Sequence, residues 1–410
     1  MRLVIKNIGS LLLAENDPGK WIAGKDMAEA TALKDAWLVV EEDIIGCFGT
    51  GEVIPFSDDE ILDAKGGHVM PAFCDSHTHL VYAGSREKEY EDKIKGLSYE
   101  QIAKRGGGIL NSARLLQETS EKELYRQSVP RINEIMKMGT GAVEIKSGYG
   151  LTLKDELKML RVIKRIAEEK PLQVISTFLG AHAFPAEFKA DPDKYIKLII
   201  DEMLPALASE DLAEYIDVFC DKGFFTVSQT ARILEAGAKY GLTPKIHANE
   251  LDFSGGIQTG VKHGARSVDH LEFAGEEEIK ILKQSETMPT LLPGASFFLG
   301  LKYAPARKMI DSGLPLALAS DFNPGSSPSG NMEFIMSLGI IKLKMLPIEV
   351  LNAVTLNGAY AMGREESLGS ITPGKIANLI ITKPLPDFSF MPYYYGSSLI
   401  SKVLINGKVI

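Results

Sequence analysis

From Val69 onward the chain alternates short apolar runs with longer amphipathic stretches, and it does so eight times. The runs begin near Val69, Ala142, Gln173, Tyr215, Pro244, Arg266, Met288 and Leu314, and helical stretches such as 157–169, 226–240, 276–283 and 305–312 fall between them. Alternation sustained this long calls for a parallel sheet whose crossovers are helices. Eight repeats fit a closed (β/α)8 TIM barrel better than an open doubly wound sheet. The expected fold class is therefore α/β, with the barrel spanning residues 66–364. No phosphate-cradling glycine motif follows an early strand. The run Gly106-Gly107-Gly108 comes after a helix-like stretch instead, which argues against a dinucleotide site.

The two chain ends have a different texture. Residues 1–65 hold short β-rich runs at Leu3-Val4-Ile5, Ala36-Trp37-Leu38-Val39-Val40 and Ile44-Ile45-Gly46-Cys47-Phe48, and similar runs return within 365–410. Turn residues separate them, the pattern of antiparallel strands. Neither end is long enough to bury a good core alone, so both are expected to join in one small β-sandwich.

The barrel pattern places the chemistry as well, because in such barrels the loops at the C-terminal strand ends carry the active site. His77 and His79 follow the apolar run 67–73. Strand residues two apart share a face, so both imidazoles project the same way where the strand gives out. His247 ends the run 244–247, His270 ends 266–270, Asp321 ends 314–321, and His182 follows 174–179. Of the seven histidines, only His68 and His263 lack such a position. A lone histidine is usually structural. His77, His79, His247 and Asp321 converging on one barrel mouth instead make a metal site. Three imidazoles and one carboxylate suit zinc, with iron or manganese also accommodated. The gain is acidified water, whose pKa drops from ~15.7 to about 7 in favourable sites.

Composition narrows the partners. A formal net charge of −9 leaves no electrostatic footprint for nucleic acid or an anionic membrane, yet a locally positive pocket can still take a small anionic substrate. Cys47, Cys74 and Cys220 are odd in number and widely spaced, so no disulfide framework is implied. Lys6 and Asn7 interrupt the first apolar run before a signal-peptide core can form, and no segment is apolar enough to cross a bilayer. A cytoplasmic homodimer is expected.

The segment Pro71-Ala72-Phe73-Cys74-Asp75-Ser76-His77-Thr78-His79, with His247, His270 and Asp321 at later strand ends, resembles the amidohydrolase superfamily of metal-dependent hydrolases. The closing 369–375 segment and the split sandwich resemble it too. Binuclear members place a carboxylated lysine at the end of the fourth strand. Here that strand ends at Cys220-Asp221 and the strand lysine, Lys146, lies on the second, so the resemblance implies one metal per chain. Asn378 stands where the superfamily often has Asp, at a remote position. Within the superfamily, the linked segments 78–86, 106–109, 144–150, 180–182, 247–250 and 320–326 are most similar to the imidazolonepropionase family. Those enzymes open a ring during histidine breakdown.

The resemblance implies roles for further residues. Arg86 would hold the substrate propionate, since guanidinium matches carboxylate in bidentate geometry. Its ordinary reading is a solvated surface arginine. Tyr149 would donate to the same carboxylate or to the ring; otherwise it is a packing aromatic. His182 would contact the substrate, at the imidazolone carbonyl. Glu250, three residues after His247, is placed to shuttle a proton, against the plainer reading of a salt-bridged loop glutamate. His270 would orient or deprotonate the attacking water. Asn323, Gly325 and Ser326 sit in a tight loop suited to hydrogen bonds with substrate, although turn chemistry also accounts for it. Hydroxide would attack the ring carbonyl, one of Asp321, Glu250 or His270 taking the proton, with the oxyanion steadied by metal and imidazole. Two rivals remain: a mononuclear purine or pyrimidine deaminase, and a non-catalytic scaffold relative that kept only the barrel.

Overall fold

A computed structural model describes residues 2–97 and 107–410. Gly106 of the triple glycine lies outside the described residues, while Gly107 and Gly108 lead into the helix Ile109–Glu118.

The barrel strands are Phe73–Thr78, Thr140–Lys146, Gln173–Ala181, Tyr215–Cys220, Thr243–Ala248, Ser267–His270, Met288–Leu291 and Ala317–Leu318. They lie side by side in chain order, each parallel to the next. Asp321 N donates to His77 O at 3.0 Å and His79 N to Phe322 O at 2.9 Å, which joins last strand to first at the C-terminal end of the barrel. The eighth strand is only two residues long. Pro315 has no N–H to give a ladder, and Ser320 N donates to the Asp75 side chain instead.

Helices cover the outside. Leu153–Glu169 starts four residues earlier than the apolar spacing indicated, because the Thr152 side chain accepts from Asp155 N and caps it. Val227–Ala238 is set by Thr226, whose hydroxyl accepts from Gln229 N while Gln229 reaches back to the Thr226 N–H. Leu160, Ile163 and Ile166 on the first helix, and Ile233 and Leu234 on the second, are buried against the strands.

The apolar run at Val69, read from sequence as one barrel strand, divides in two. Gly67–Pro71 pairs with Leu379–Pro384 and with Arg2–Leu12, and the barrel begins only at Phe73. The terminal sheet has the order Lys408–Val409, Ile400–Ile405, Leu379–Pro384, Gly67–Pro71, Arg2–Leu12, Ala32–Glu41, Ile44–Thr50, with Glu60–Asp63 also along Arg2–Leu12. It is continuous and drawn from both chain ends. It curls so that Ile5, Leu38, Val69, Leu379 and Leu404 share one core, and Ile45 N donates to Lys375 O across the fold. Their strand neighbours Met70, Ile380 and Val403 point the other way, into the barrel's core.

Candidate metal centre and active site

Barrel strands one and five deliver three imidazoles to one point. His77 Nε2 and His247 Nε2 lie 3.3 and 3.4 Å from His79 Nε2, and ligand atoms of all three sit within 4.8 Å of one another. Asp321 Oδ1 comes within 3.6 Å of Nε2 on both His77 and His79. All four residues are buried.

Buried carboxylates behind the site decide which way these rings face. His77 Nδ1 is 2.6 Å from Asp269 Oδ2, so its proton sits there and Nε2 is left as a bare acceptor. Asp217 plays the same part for His247: its Oδ2 lies 2.9 Å from Nδ1, short of aligned hydrogen-bond geometry, and its Oδ1 accepts from His247 N at 3.1 Å. Burial and the neighbouring cations and imidazoles hold His77 and His79 well below the ordinary imidazole pKa. Burial pushes the Asp321 carboxyl up to about 7. The neutral lone pairs of His77 and His79 converge with His247 and Asp321 on one point, a set of donors that a cation among them would satisfy. The residues fit a divalent ion.

Sequence reasoning missed the charges that support this arrangement. Lys146 Nζ lies 2.6 Å from Glu144, 2.8 Å from Asp217 and 3.5 Å from Asp269, and Lys245 pairs with Glu144. Every member is inaccessible to solvent. Burial opposes the charge on Lys146, but Asp217 and Glu144 outweigh it and raise its pKa. A signal was available: charged residues on otherwise apolar strands are costly unless paired. Glu144 and Lys146 pair within one strand, but Asp217, Asp269 and Lys245 reach them from other strands, which spacing along one strand cannot reveal.

The remaining expected residues ring the same mouth. His182 stacks on His79 with ring centroids 5.1 Å apart, and its Nδ1 is 3.1 Å from Gly148 O. Burial and then His247 push its pKa down to about 3, so the ring is neutral. Tyr149 is buried beside both rings, 6.0 Å from His79 and 5.5 Å from His182. Its loop is pinned by Glu156, another carboxylate sequence reasoning passed over, which accepts from Gly148 N, Gly150 N and Leu151 N. Asp221 likewise accepts from Glu250 N and Leu251 N, setting the loop after strand five. Burial and the Asp321 carboxylate push Glu250 up to about 8. His270 packs against His77 and His247, its Nδ1 3.8 Å from Glu250 Oε2.

The loop after Asp321 does turn chemistry and more. Asn323 Oδ1 accepts from Gly325 N and Ser326 N, its Nδ2 donates to Asp321 O, and Ser326 Oγ donates to Asp321 Oδ2 at 3.1 Å. Gly325 lies flush against the Arg86 guanidinium, where any Cβ would collide with it. Arg86 itself is not a free surface cation. Its Nε and Nη2 both reach Glu89 Oε2 at 2.8 Å, and Glu89 in turn accepts from Gly108 N and Asn111 Nδ2. That leaves the Nη1 edge turned to the Gly325 loop.

Comparisons with known proteins agree with this geometry. The profile of the amidohydrolase family matches residues 220–410. An imidazolonepropionase of Christiangramia forsetii is 56% identical over the whole of both chains. Among solved structures, a triazine hydrolase variant superposes with a TM-score of 0.76 at 15% identity, covering 100% of this chain and 94% of its own. The guanine deaminase of C. acetobutylicum, solved with guanine in its active site, gives a TM-score of 0.71 at 15% identity, with both chains fully covered. The structural likenesses establish the shared fold alone.

Proposed function

The chain belongs to the imidazolonepropionase family of the amidohydrolases, and we propose that it hydrolyses 4-imidazolone-5-propanoate to N-formimino-L-glutamate, a step of histidine degradation, with one divalent ion held by His77, His79, His247 and Asp321. Zinc suits this donor set first and iron second. Such an ion, when bound, supplies hydroxide at neutral pH.

The protein's own groups do the rest. A C–O bond forms between water and the ring carbonyl carbon, and the bond from that carbon to a ring nitrogen breaks. Glu250, close to His270 beside the imidazole cluster, both accepts the water proton and returns it to the departing nitrogen. Neutral His182 and His270 face the carbonyl, where the negative charge develops. Arg86 and Tyr149 hold the propionate, with Asn323, Gly325 and Ser326 closing the pocket beside Asp321. The cytoplasmic placement rests on three cysteines that stay unpaired.

The observation that carries this reading is one continuous chain of contacts. It runs from the imidazole cluster through Asp321 and the Asn323–Ser326 loop to the guanidinium of Arg86. A deaminase acting on a neutral base has no use for that last group, and the guanine deaminase is distant in sequence. The test is direct. Purified protein carrying about one metal equivalent should convert freshly generated imidazolone propionate to N-formimino-L-glutamate, and two equivalents or no turnover would count against it.

A further inference from the structure

His270 and Leu271 both carry positive φ, 84° and 68°, a backbone that side-chained residues adopt only when their surroundings impose it. Two residues on from that bend, Glu272 sits beside His270. Glu272 Oε2 lies 3.9 Å from His270 Nδ1, and both atoms are buried without a hydrogen-bond partner among the described residues. The other oxygen is anchored, since Ser296 Oγ donates to Oε1 at 2.8 Å from the helix Pro293–Leu299. Glu250 approaches the same Nδ1 at 3.8 Å, but its side chain is 11% exposed against 1% for Glu272. One carboxyl is anchored by Ser296 and fully buried, and the other keeps some exposure.

An imidazole in its neutral form has one N–H and one lone pair, and the partner at one nitrogen decides the role of the other. We infer that Glu272, rather than the equally near Glu250, is the positioning residue for ring opening: its anchored carboxyl takes up the unpartnered Nδ1 of His270 and so sets the ring's orientation and tautomer, while Glu250 serves the substrate. The inference rests on the catalytic reading of His270 and goes beyond it by naming what holds the ring.

The test is a double-mutant cycle on the metal-loaded enzyme with Glu272→Gln, His270→Asn and the pair. Glu272→Gln alone should lower kcat by ~10–100-fold with metal content intact and KM within about threefold. In the His270→Asn background the same change should cost at most about twofold, because its effect passes through the missing ring. Equal losses in both backgrounds overturn the proposal alone, as does a loss confined to KM or to metal content. Normal kcat for His270→Asn overturns both the reading of His270 and this proposal. Should Glu272→Gln not fold, Ser296→Ala, which releases Oε1, must give the same non-additive pattern at about threefold or more. Its absence there overturns the proposal equally.

Discussion

Arg86 illustrates how far one side chain's meaning depends on its neighbours. By composition it is a surface arginine, yet Glu89 grips one edge of its guanidinium and the Gly325 loop receives the other. A cation held this way is pre-organised for a carboxylate, because its rotamer is fixed before the ligand arrives. Arg86→Ala should therefore weaken substrate binding by ~2–5 kcal/mol, the usual cost of removing one partner of a hydrogen-bonded charge pair, and leave metal content unchanged. Steady-state KM together with elemental analysis checks this. Near-normal kcat/KM would return Arg86 to the surface role. The buried acids follow the same logic: Asp75, Glu156 and Asp221 each spend a carboxylate on backbone N–H groups of a loop that bears an active-site residue.

At the scale of elements, the barrel strands were readable because buried strands leave apolar runs and their ends leave polar punctuation. His77 and His79 could be placed from period two, and His247 from the end of its apolar run. Asp217 and Asp269 could not, since each is explained only by a lysine or histidine on another strand, and Glu144 is shared between Lys146 of its own strand and Lys245 of another. The run 67–78 misled for a related reason: it feeds two sheets in succession, and only Pro71 marks the break. Loop geometry was the least legible. Gly148 has φ 107°, and a Cβ there would sit 2.8 Å from His182 Nδ1 and 2.9 Å from Leu179 O. Gly148→Ala should thus displace His182 and cost about 1 kcal/mol or more in stability. The expected readout is a lower Tm with kcat/KM reduced at least ~10-fold, given about 1.4 kcal/mol per factor of ten. Unchanged activity would mean that the His182 position carries no catalytic weight.

For the whole molecule, the buried acids around the imidazole cluster tie stability to pH. Burial pushes Asp75 and Asp321 up to about 7 and Glu250 up to about 8. An acid raised in the folded state stabilises fully below its unfolded pKa, ~4, and loses that contribution as pH climbs through the folded value. Metal-stripped protein should therefore lose Tm between about pH 5 and pH 8. A cation beside Asp321 favours the charged form, so the loaded protein should lose less and the gap should widen with pH. Melting curves with and without chelator at both ends of that range decide it, and a constant gap contradicts the assignment. Folding places this site at the end where the first and last strands are joined, with Arg86 against the Gly325 loop. The most direct measurement is kcat/KM on 4-imidazolone-5-propanoate against the same ring without its propionate. A site whose guanidinium Nη1 edge loses its carboxylate with the shorter ring should favour the natural one by at least ~10²-fold. Equal rates on the two rings, or faster deamination of cytosine or guanine, would contradict the account.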